Sequence, residues 1–343
     1  MSTVRPANFR YPSTRFSDPL RHIIRSRSGR WGLAALWGLA GIAVAGLAVR
    51  HYAGTPWPLA HAQPALLVAV GLLTLVAYAF KAFGWGRLFT ADERPRALAL
   101  AAANGAASVG GVALPGRFDD AIRIAVVRRS PGCPAGVPSL CFSLVMLGLV
   151  DSAAVAPLAL VAALLPGSPT ALRAGLALVA LAGVGAAGLI FGLPRLVESR
   201  RVLRFRLGRW LGPRTTSPLE ASRALALVSA CWLTRAAALF LLLAALGVGY
   251  AFPLALLVLC AGAAAAALPV GPAGAATQAG ASAAVLVASG MVASTALGVA
   301  VGIQAVGVLC GGTIVVFAAV ARRARGASSP DQNRHRHAPG RRT

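Results

Sequence analysis

Charged side chains are scarce in this chain, and acidic ones are the scarcest. Only 12% of the 343 residues are charged, and nine are Asp or Glu, whereas an average soluble domain has about 25% charged residues. A soluble protein of this length needs a charged surface, and too few residues are available to form one. With 57% hydrophobic residues and a mean hydropathy of +0.72, the composition excludes a soluble enzyme, a disordered chain and a coiled coil. It predicts an integral membrane protein.

The signatures of metal, disulfide and nucleotide chemistry are also missing. The five cysteines form no CxxC pair and the five histidines are scattered, so we expect no disulfide framework and no metal site. The sequence contains no Walker A, HExxH, nucleophile-elbow or dinucleotide-binding glycine motif. We therefore expect no cofactor, no ATP-driven step and no enzymatic activity.

Basic residues are plentiful and almost all are arginine. They number 33 and give a net charge of +24, and Lys81 is the only lysine. A basic chain can bind nucleic acid, but these arginines lie in loops between apolar runs, as in membrane proteins whose cytoplasmic loops are positive. We expect no nucleic-acid partner.

Nine apolar runs predict the membrane topology. They cover residues 31–49, 64–84, 98–114, 138–164, 174–193, 224–247, 251–269, 276–297 and 299–321. If the Gly-rich run 98–114 crossed, two basic loops would lie outside, so we interpret it as re-entrant. The prediction is an all-α polytopic bundle of about eight transmembrane helices plus re-entrant or broken segments in two halves. Lys81 then lies in the first cytoplasmic loop.

Three segments follow from this topology. Residues 1–30 are predicted as a basic cytoplasmic segment, 31–321 as the membrane domain, and 322–343 as a disordered, basic cytoplasmic tail. Both termini are predicted to be cytoplasmic in a multi-pass protein of the inner, or plasma, membrane.

Two charged residues of opposite sign lie midway along predicted spans. Asp151 lies within 138–164 and Arg235 within 224–247, where a charge costs about 2.5–3.5 kcal/mol on insertion scales. We expect a direct ion pair between them. Such a pair either fixes the register of the two helices or provides a polar site along a path for a lipid or a proton. The sequence leaves both interpretations open.

The stretch 114–132 is the densest polar cluster. Asp119 and Asp120 suit the first turn of a helix, and Arg117 and Arg123 carry guanidinium groups that match phosphate oxygens. We predict that Arg117, Asp120 and Arg123 bind a lipid phosphate or headgroup where the chain re-enters water. The alternative is that these arginines only enforce the orientation of the loop.

A second broken segment, 267–280, resembles the earlier segment 104–116. Both interrupt an apolar run with Gly and Pro, and such pairs in two halves of a transporter point to its binding site. Asn104 in the first segment and Gln278 in the second are predicted to contribute hydrogen bonds to the substrate.

The two broken segments, in this order, resemble the transmembrane, flippase-like region of lysylphosphatidylglycerol synthetases. That family shows a Pro-x-Arg-x-Gly-acid-x-x-Arg stretch, and here Asp119 replaces the Gly. Asp151 matches an acid of the next span, without the preceding acid–Arg pair, and Gln278 stands where the family's late Pro-Gly motif has an acid. The matching residues are Pro115, Arg117, Asp120, Arg123, Asp151, Pro269, Pro272 and Gly274.

The resemblance covers about residues 30–321 and implies a function in lipid movement. It implies a flippase or transporter that translocates or binds an anionic phospholipid or a lipid-linked intermediate. Because every loop is short, we expect no synthetase domain and no addition of an amino acid to phosphatidylglycerol. An intramembrane enzyme that acts on a lipid is a third interpretation, disfavoured because the spans contain no paired carboxylates and no His cluster. The alternative is a non-transporting scaffold for enzymes of cell-envelope lipid or glycan synthesis, which would then be its partners.

Overall fold

A computed structural model describes residues 62–113, 118–166, 169–198, 212–249, 251–267 and 274–327. All of these belong to one unit of the chain, Trp57–Thr343. The predicted segment 1–30, the first apolar run 31–49 and Arg117 lie outside the described residues.

The described residues form α-helices and one 3-10 turn, Gly212–Arg214, with no strand among them. Three of the long helices begin at a proline in their first turn, where the missing N–H costs nothing. Before Pro218, Ser217 caps its helix by accepting a hydrogen bond from the backbone N–H of Glu220. The helices are α1 (Pro64–Gly86), α2 (Ala97–Ala113), α3 (Phe118–Arg128), α4 (Val137–Leu164), α5 (Thr170–Glu198), α6 (Pro218–Ala245), α7 (Phe252–Ala267), α8 (Gly274–Ala288) and α9 (Ala293–Ala327).

Five of these helices are long and apolar enough to cross a membrane: α1, α4, α5, α6 and α9. Their apolar side chains are exposed on one face, as Val68, Leu72 and Val76 are along α1. This is the surface that a helix presents to hydrocarbon, since residues four apart lie on one face. The predicted all-α, polytopic membrane class is confirmed.

The helices α2 and α3 form a hairpin that returns to the side from which it started. Leu100, near the start of α2, packs beside Gly86 at the end of α1. At the far end of α3, the Arg128 guanidinium donates to the carbonyl oxygen of Ala135, 3.3 Å away and just before α4. The predicted re-entrant element is therefore the α2–α3 pair. The run 98–114 does not itself turn back, because α2 is continuous through Ala113.

The helices α7 and α8 form a second hairpin, which corrects the predicted topology. They contain 16 and 15 residues, about 24 and 22 Å, which is short of a hydrocarbon core of about 30 Å. They pack against each other, and the start of α7 and the end of α8 share one apolar cluster with the end of α6 and the start of α9. The runs 251–269 and 276–297 are thus arms of a hairpin, and the chain reverses at Gly290, whose φ is +93°.

The order helix, hairpin, helix occurs twice. The first unit is α1, α2–α3 and α4, and the second is α6, α7–α8 and α9. The spans α4 and α5 lie between the end of α1 and the start of α6 and return the chain to the same side. The helix α6 therefore crosses in the opposite direction to α1, and the second unit is inverted relative to the first. Matching contacts recur: α2 packs on α9 as α7 packs on α4, and α1 packs extensively on its counterpart α6. This is the arrangement of an inverted repeat.

The last helix extends beyond residue 321, the predicted end of the membrane domain. The helix α9 continues through Ala327, because Ala and Arg are good helix formers. The side-chain Nε of Arg322 also donates to the carbonyl oxygen of Ala318 at 3.1 Å.

Candidate functional site

An ion pair lies inside the bundle between α1 and α4. The Nζ atom of Lys81 is 2.7 Å from Oδ2 of Asp151, and these side chains are 12% and 22% exposed. The other carboxylate oxygen, Oδ1, accepts a hydrogen bond from Nε1 of Trp232 on α6 at 3.1 Å. Both oxygens of Asp151 are therefore engaged by residues of two other helices.

The expected ion pair between Asp151 and Arg235 is not formed. Lys81 takes the place of Arg235, because α1 remains helical through Gly86 and brings Lys81 against α4. The prediction that Lys81 lies in a cytoplasmic loop is also wrong. A signal was present in the sequence, since the chain's single lysine falls within the apolar run 64–84.

Arg235 is half-buried on α6 and is flanked by two aromatic rings. Its Cζ atom lies 5.4 Å from the ring centroid of Trp232 and 6.0 Å from that of Tyr78, within the range of cation–π attraction. Among the described residues, no carboxylate lies within 4 Å of its guanidinium. Arg235 therefore has two aromatic neighbours and no direct ion pair, although Asp151 lies close enough to interact with its charge.

Tyr78 links this group to the last helix. Its hydroxyl donates to the carbonyl oxygen of Gly307 on α9 at 3.3 Å. We call Tyr78, Lys81, Asp151, Trp232 and Arg235 the intramembrane cluster. It joins α1 and α4 of the first repeat to α6 and α9 of the second.

The depth of the cluster follows from contacts between the end of α1 and the start of α6. Arg87, which follows α1, pairs with Glu220 in the first turn of α6 at 3.3 Å. At 1.5 Å per residue, Lys81 lies about 9 Å deeper than Arg87, and Arg235 about 22 Å deeper than Glu220. The cluster therefore lies within the hydrocarbon region.

Asn104 is buried on α2 with no partner. It is 4% exposed, and neither Nδ2 nor Oδ1 makes a hydrogen bond. Its neighbour Gly105 touches Gly311 of α9 so closely that a Cβ atom there would lie 2.5 Å from the Gly311 carbonyl oxygen. A buried amide without a partner is costly, which marks Asn104 as a candidate ligand-binding residue.

Gln278 lies on α8 and is half-buried. The helix α8 contacts α2 as well as α9, so the two broken segments do meet. The predicted amides Asn104 and Gln278 thus lie on neighbouring helices, although no bond joins them.

The early polar motif is organised differently from the prediction. Nη1 of Arg123 contacts Oδ2 of Asp119 at 3.0 Å and Oδ1 of Asp120 at 2.5 Å, so acids of its own helix neutralise it. Arg123 also lies about 7 Å from Arg128, the last residue of α3, along the helix axis, whereas the prediction put Arg123 where the chain re-enters water. Its buried Nε has no partner.

The metal-ligating side chains in the described part of the chain do not cluster. No group of three His, Cys, Asp or Glu side chains there could hold a metal ion. The five cysteines are free.

The fold and the intramembrane cluster define a polytopic helical membrane protein with ionisable residues between two inverted halves. A family model, the lysylphosphatidylglycerol synthase TM region, matches residues 39–315. The chain belongs to this family, as its motifs indicated. No curated protein and no solved structure matches the chain significantly.

Proposed function

We propose that the protein moves an anionic phospholipid, or a lipid-linked intermediate with an anionic headgroup, between the leaflets of the plasma membrane. The environment of Arg235 is the observation on which this proposal rests. The Arg235 guanidinium lies inside a membrane-spanning helix, close to two aromatic rings and with no described carboxylate within 4 Å. Ionisable residues in spans are costly and mark substrate paths.

The charge of the cluster favours an anion. Lys81 and Arg235 are cationic and Asp151 is the one carboxylate, so a single net positive charge remains. Lys81 and Trp232 each contact one oxygen of Asp151, and Arg235 forms no ion pair with that carboxylate. A phosphate group has oxygens that a guanidinium binds in a two-pronged fork, and it would neutralise the site.

The repeat architecture supports a path between the two halves. Inverted-repeat transporters bind substrate near the bilayer midplane, where the repeats and their broken helices meet. Here the cluster joins both repeats, and Asn104 adds an unsatisfied amide at the first hairpin. Gln278 and Arg117 keep their predicted roles as headgroup contacts, whereas Asp120 acts by neutralising Arg123.

The proposal includes an orientation. With 31–49 as a further span, the chain crosses an even number of times, and both termini are cytoplasmic, as the positive loops require. The proposal assigns the chain no reaction of its own and no cofactor. Membrane lipids are its substrates.

A liposome assay tests the proposal. Purified protein is reconstituted with fluorescent phosphatidylglycerol, and an impermeant reductant bleaches the label that reaches the outer leaflet. The native chain should accelerate bleaching beyond the outer-leaflet fraction. Arg235→Gln should slow it at least about tenfold, since a hydrogen bond to a charged group is worth about 1.5–3 kcal/mol.

Arg195→Gln is the matched control, because it removes an exposed arginine from the last turn of α5. It should leave the rate unchanged. A folded Arg235→Gln protein that moves lipid at the native rate would contradict the proposal.

The alternative is a scaffold that recruits enzymes of cell-envelope lipid or glycan synthesis. It is favoured by the pairing of Arg123 with Asp119 and Asp120. These acids neutralise Arg123, which was predicted to bind the phosphate. Stable co-purification of such an enzyme from membranes, together with no lipid movement by the native chain, would select the scaffold.

A further inference from the structure

Three arginines converge on one carboxylate at the cytoplasmic end of α1 and α6. Oε2 of Glu220 is 3.3 Å from Nη1 of Arg87 and 3.6 Å from Nη2 of Arg94, and Oε1 is 2.6 Å from Nη1 of Arg223. We call these four residues the cytoplasmic cluster. It joins the end of α1, the loop before α2 and the first turn of α6.

One carboxylate cannot satisfy this cluster. Three guanidinium charges against one carboxylate leave two net positive charges, and each guanidinium has five N–H donors. At 3.6 Å, the contact of Arg94 is too long for a hydrogen bond. The arginine side chains are 36–52% exposed and Glu220 only 23%, so a ligand from solution can reach the guanidiniums.

Local structure fixes the carboxylate in position. Glu220 donates its backbone N–H to Ser217 at the start of α6, and Arg223 follows it by one turn. The guanidiniums are therefore held at one point of the surface before any ligand arrives. Such an arrangement lowers the entropy lost on binding.

We propose that Arg87, Arg94 and Arg223 form a binding site for a phosphate group at the cytoplasmic membrane surface. The phosphate comes from an inner-leaflet phospholipid or from free phosphate, and Glu220 competes with it for the guanidiniums. The site lies at the level of the headgroups, because it caps the cytoplasmic ends of two spanning helices. It does not depend on the transport proposal.

Binding is measured on the full chain in non-ionic detergent, without a transport step. Soluble dihexanoyl phosphatidylglycerol and inorganic phosphate are titrated separately. The double variant Arg94→Gln/Arg223→Gln should weaken phosphatidylglycerol binding at least about tenfold, the effect of losing about 1.4 kcal/mol. Glu220→Gln should strengthen binding severalfold, because it removes the competitor.

Arg96→Gln is the matched control. Arg96 lies in the same loop as Arg94, is exposed, and has no ion pair among the described residues. Its substitution removes one cationic charge, as each arginine substitution of the double variant does. It should change the affinity by less than about twofold, as expected for an exposed charge. Binding of the lipid alone identifies a headgroup site, and equal binding of inorganic phosphate identifies a free-phosphate site.

Two results would overturn the proposal. In the first, Arg96→Gln weakens phosphatidylglycerol binding as much as Arg94→Gln or Arg223→Gln does when each is measured alone, which would mean that the lipid responds to the general charge of the surface. In the second, the folded double variant binds both probes as the native chain does. Neither result bears on Arg235, whose test is the rate of lipid movement.

Discussion

The intramembrane and cytoplasmic clusters use the same chemical groups in different surroundings. Asp151 meets its cation at 2.7 Å, and Glu220 meets its nearest one at 2.6 Å. The cation beside Asp151 is 12% exposed, whereas Arg223 beside Glu220 is 52% exposed. Distance therefore cannot distinguish the two pairs, and their difference comes from the solvent.

That difference determines what each cluster does for the fold. Inside the membrane, removing one partner leaves a charge that water cannot reach. The folded state then loses much more stability than the intact ion pair contributes. At the surface, water and salt replace the lost partner. The first cluster should therefore resist change, and the second should exchange partners easily, as a binding site must.

The largest effect is expected for Asp151→Asn. It leaves Lys81 without a carboxylate in the hydrocarbon region, which should destabilise the folded chain by about 3–5 kcal/mol. The apparent melting temperature in a non-ionic detergent should fall accordingly.

A second substitution sharpens this prediction. Adding Lys81→Met to Asp151→Asn removes the stranded charge and should restore part of the lost stability. If the double variant melts no higher than the single one, the pairing of Lys81 with Asp151 is not the source of the effect.

A smaller effect is expected for Trp232→Phe. The substitution keeps an aromatic ring beside Arg235 but removes the N–H that donates to Oδ1 of Asp151. A hydrogen bond to a charged group is worth about 1.5–3 kcal/mol, so melting should shift downward by less than for Asp151→Asn.

Trp85→Phe is the matched control for Trp232→Phe. It removes a buried bond of similar length, 3.0 Å, from Nε1 of Trp85 to the neutral Oγ of Ser143. A neutral bond contributes about 0.5–1.5 kcal/mol. Equal shifts for the two variants would mean that the charge of Asp151 adds nothing.

The spanning helices could be predicted from sequence because long apolar runs determine them. The run 138–164 became α4, Val137–Leu164, and its start is marked by Gly136 and a proline in the first turn. The hairpin of α7 and α8 could not be predicted in this way. Two apolar runs separated by Gly and Pro have the same sequence pattern whether each run crosses the membrane or the two form a re-entrant hairpin. The short length of α7 and α8 and their packing against each other distinguish these two topologies.

The partner of Asp151 could not be predicted for a related reason. Which cation pairs with Asp151 depends on how α1, α4 and α6 are rotated about their axes. A helix that is apolar on all sides has no polar face in its sequence from which that rotation could be predicted. Asp151 and Arg235 were recognised as intramembrane charges from their place in the runs. Lys81 was missed because it lies near the end of its run, beside the basic loop.

The smallest effect is expected for Glu220→Gln. The exposed network should lose only about 0–1 kcal/mol of stability, and at 1 M salt, where the screening length is about 3 Å, the difference from the native chain should vanish. The deficit of Asp151→Asn should persist at that salt concentration, because ions do not enter the hydrocarbon region. Melting temperatures of the native chain and both variants at 0.1 and 1 M NaCl test this contrast. If salt erased both deficits, Asp151 would be in contact with water, and the distinction between the two clusters would fail.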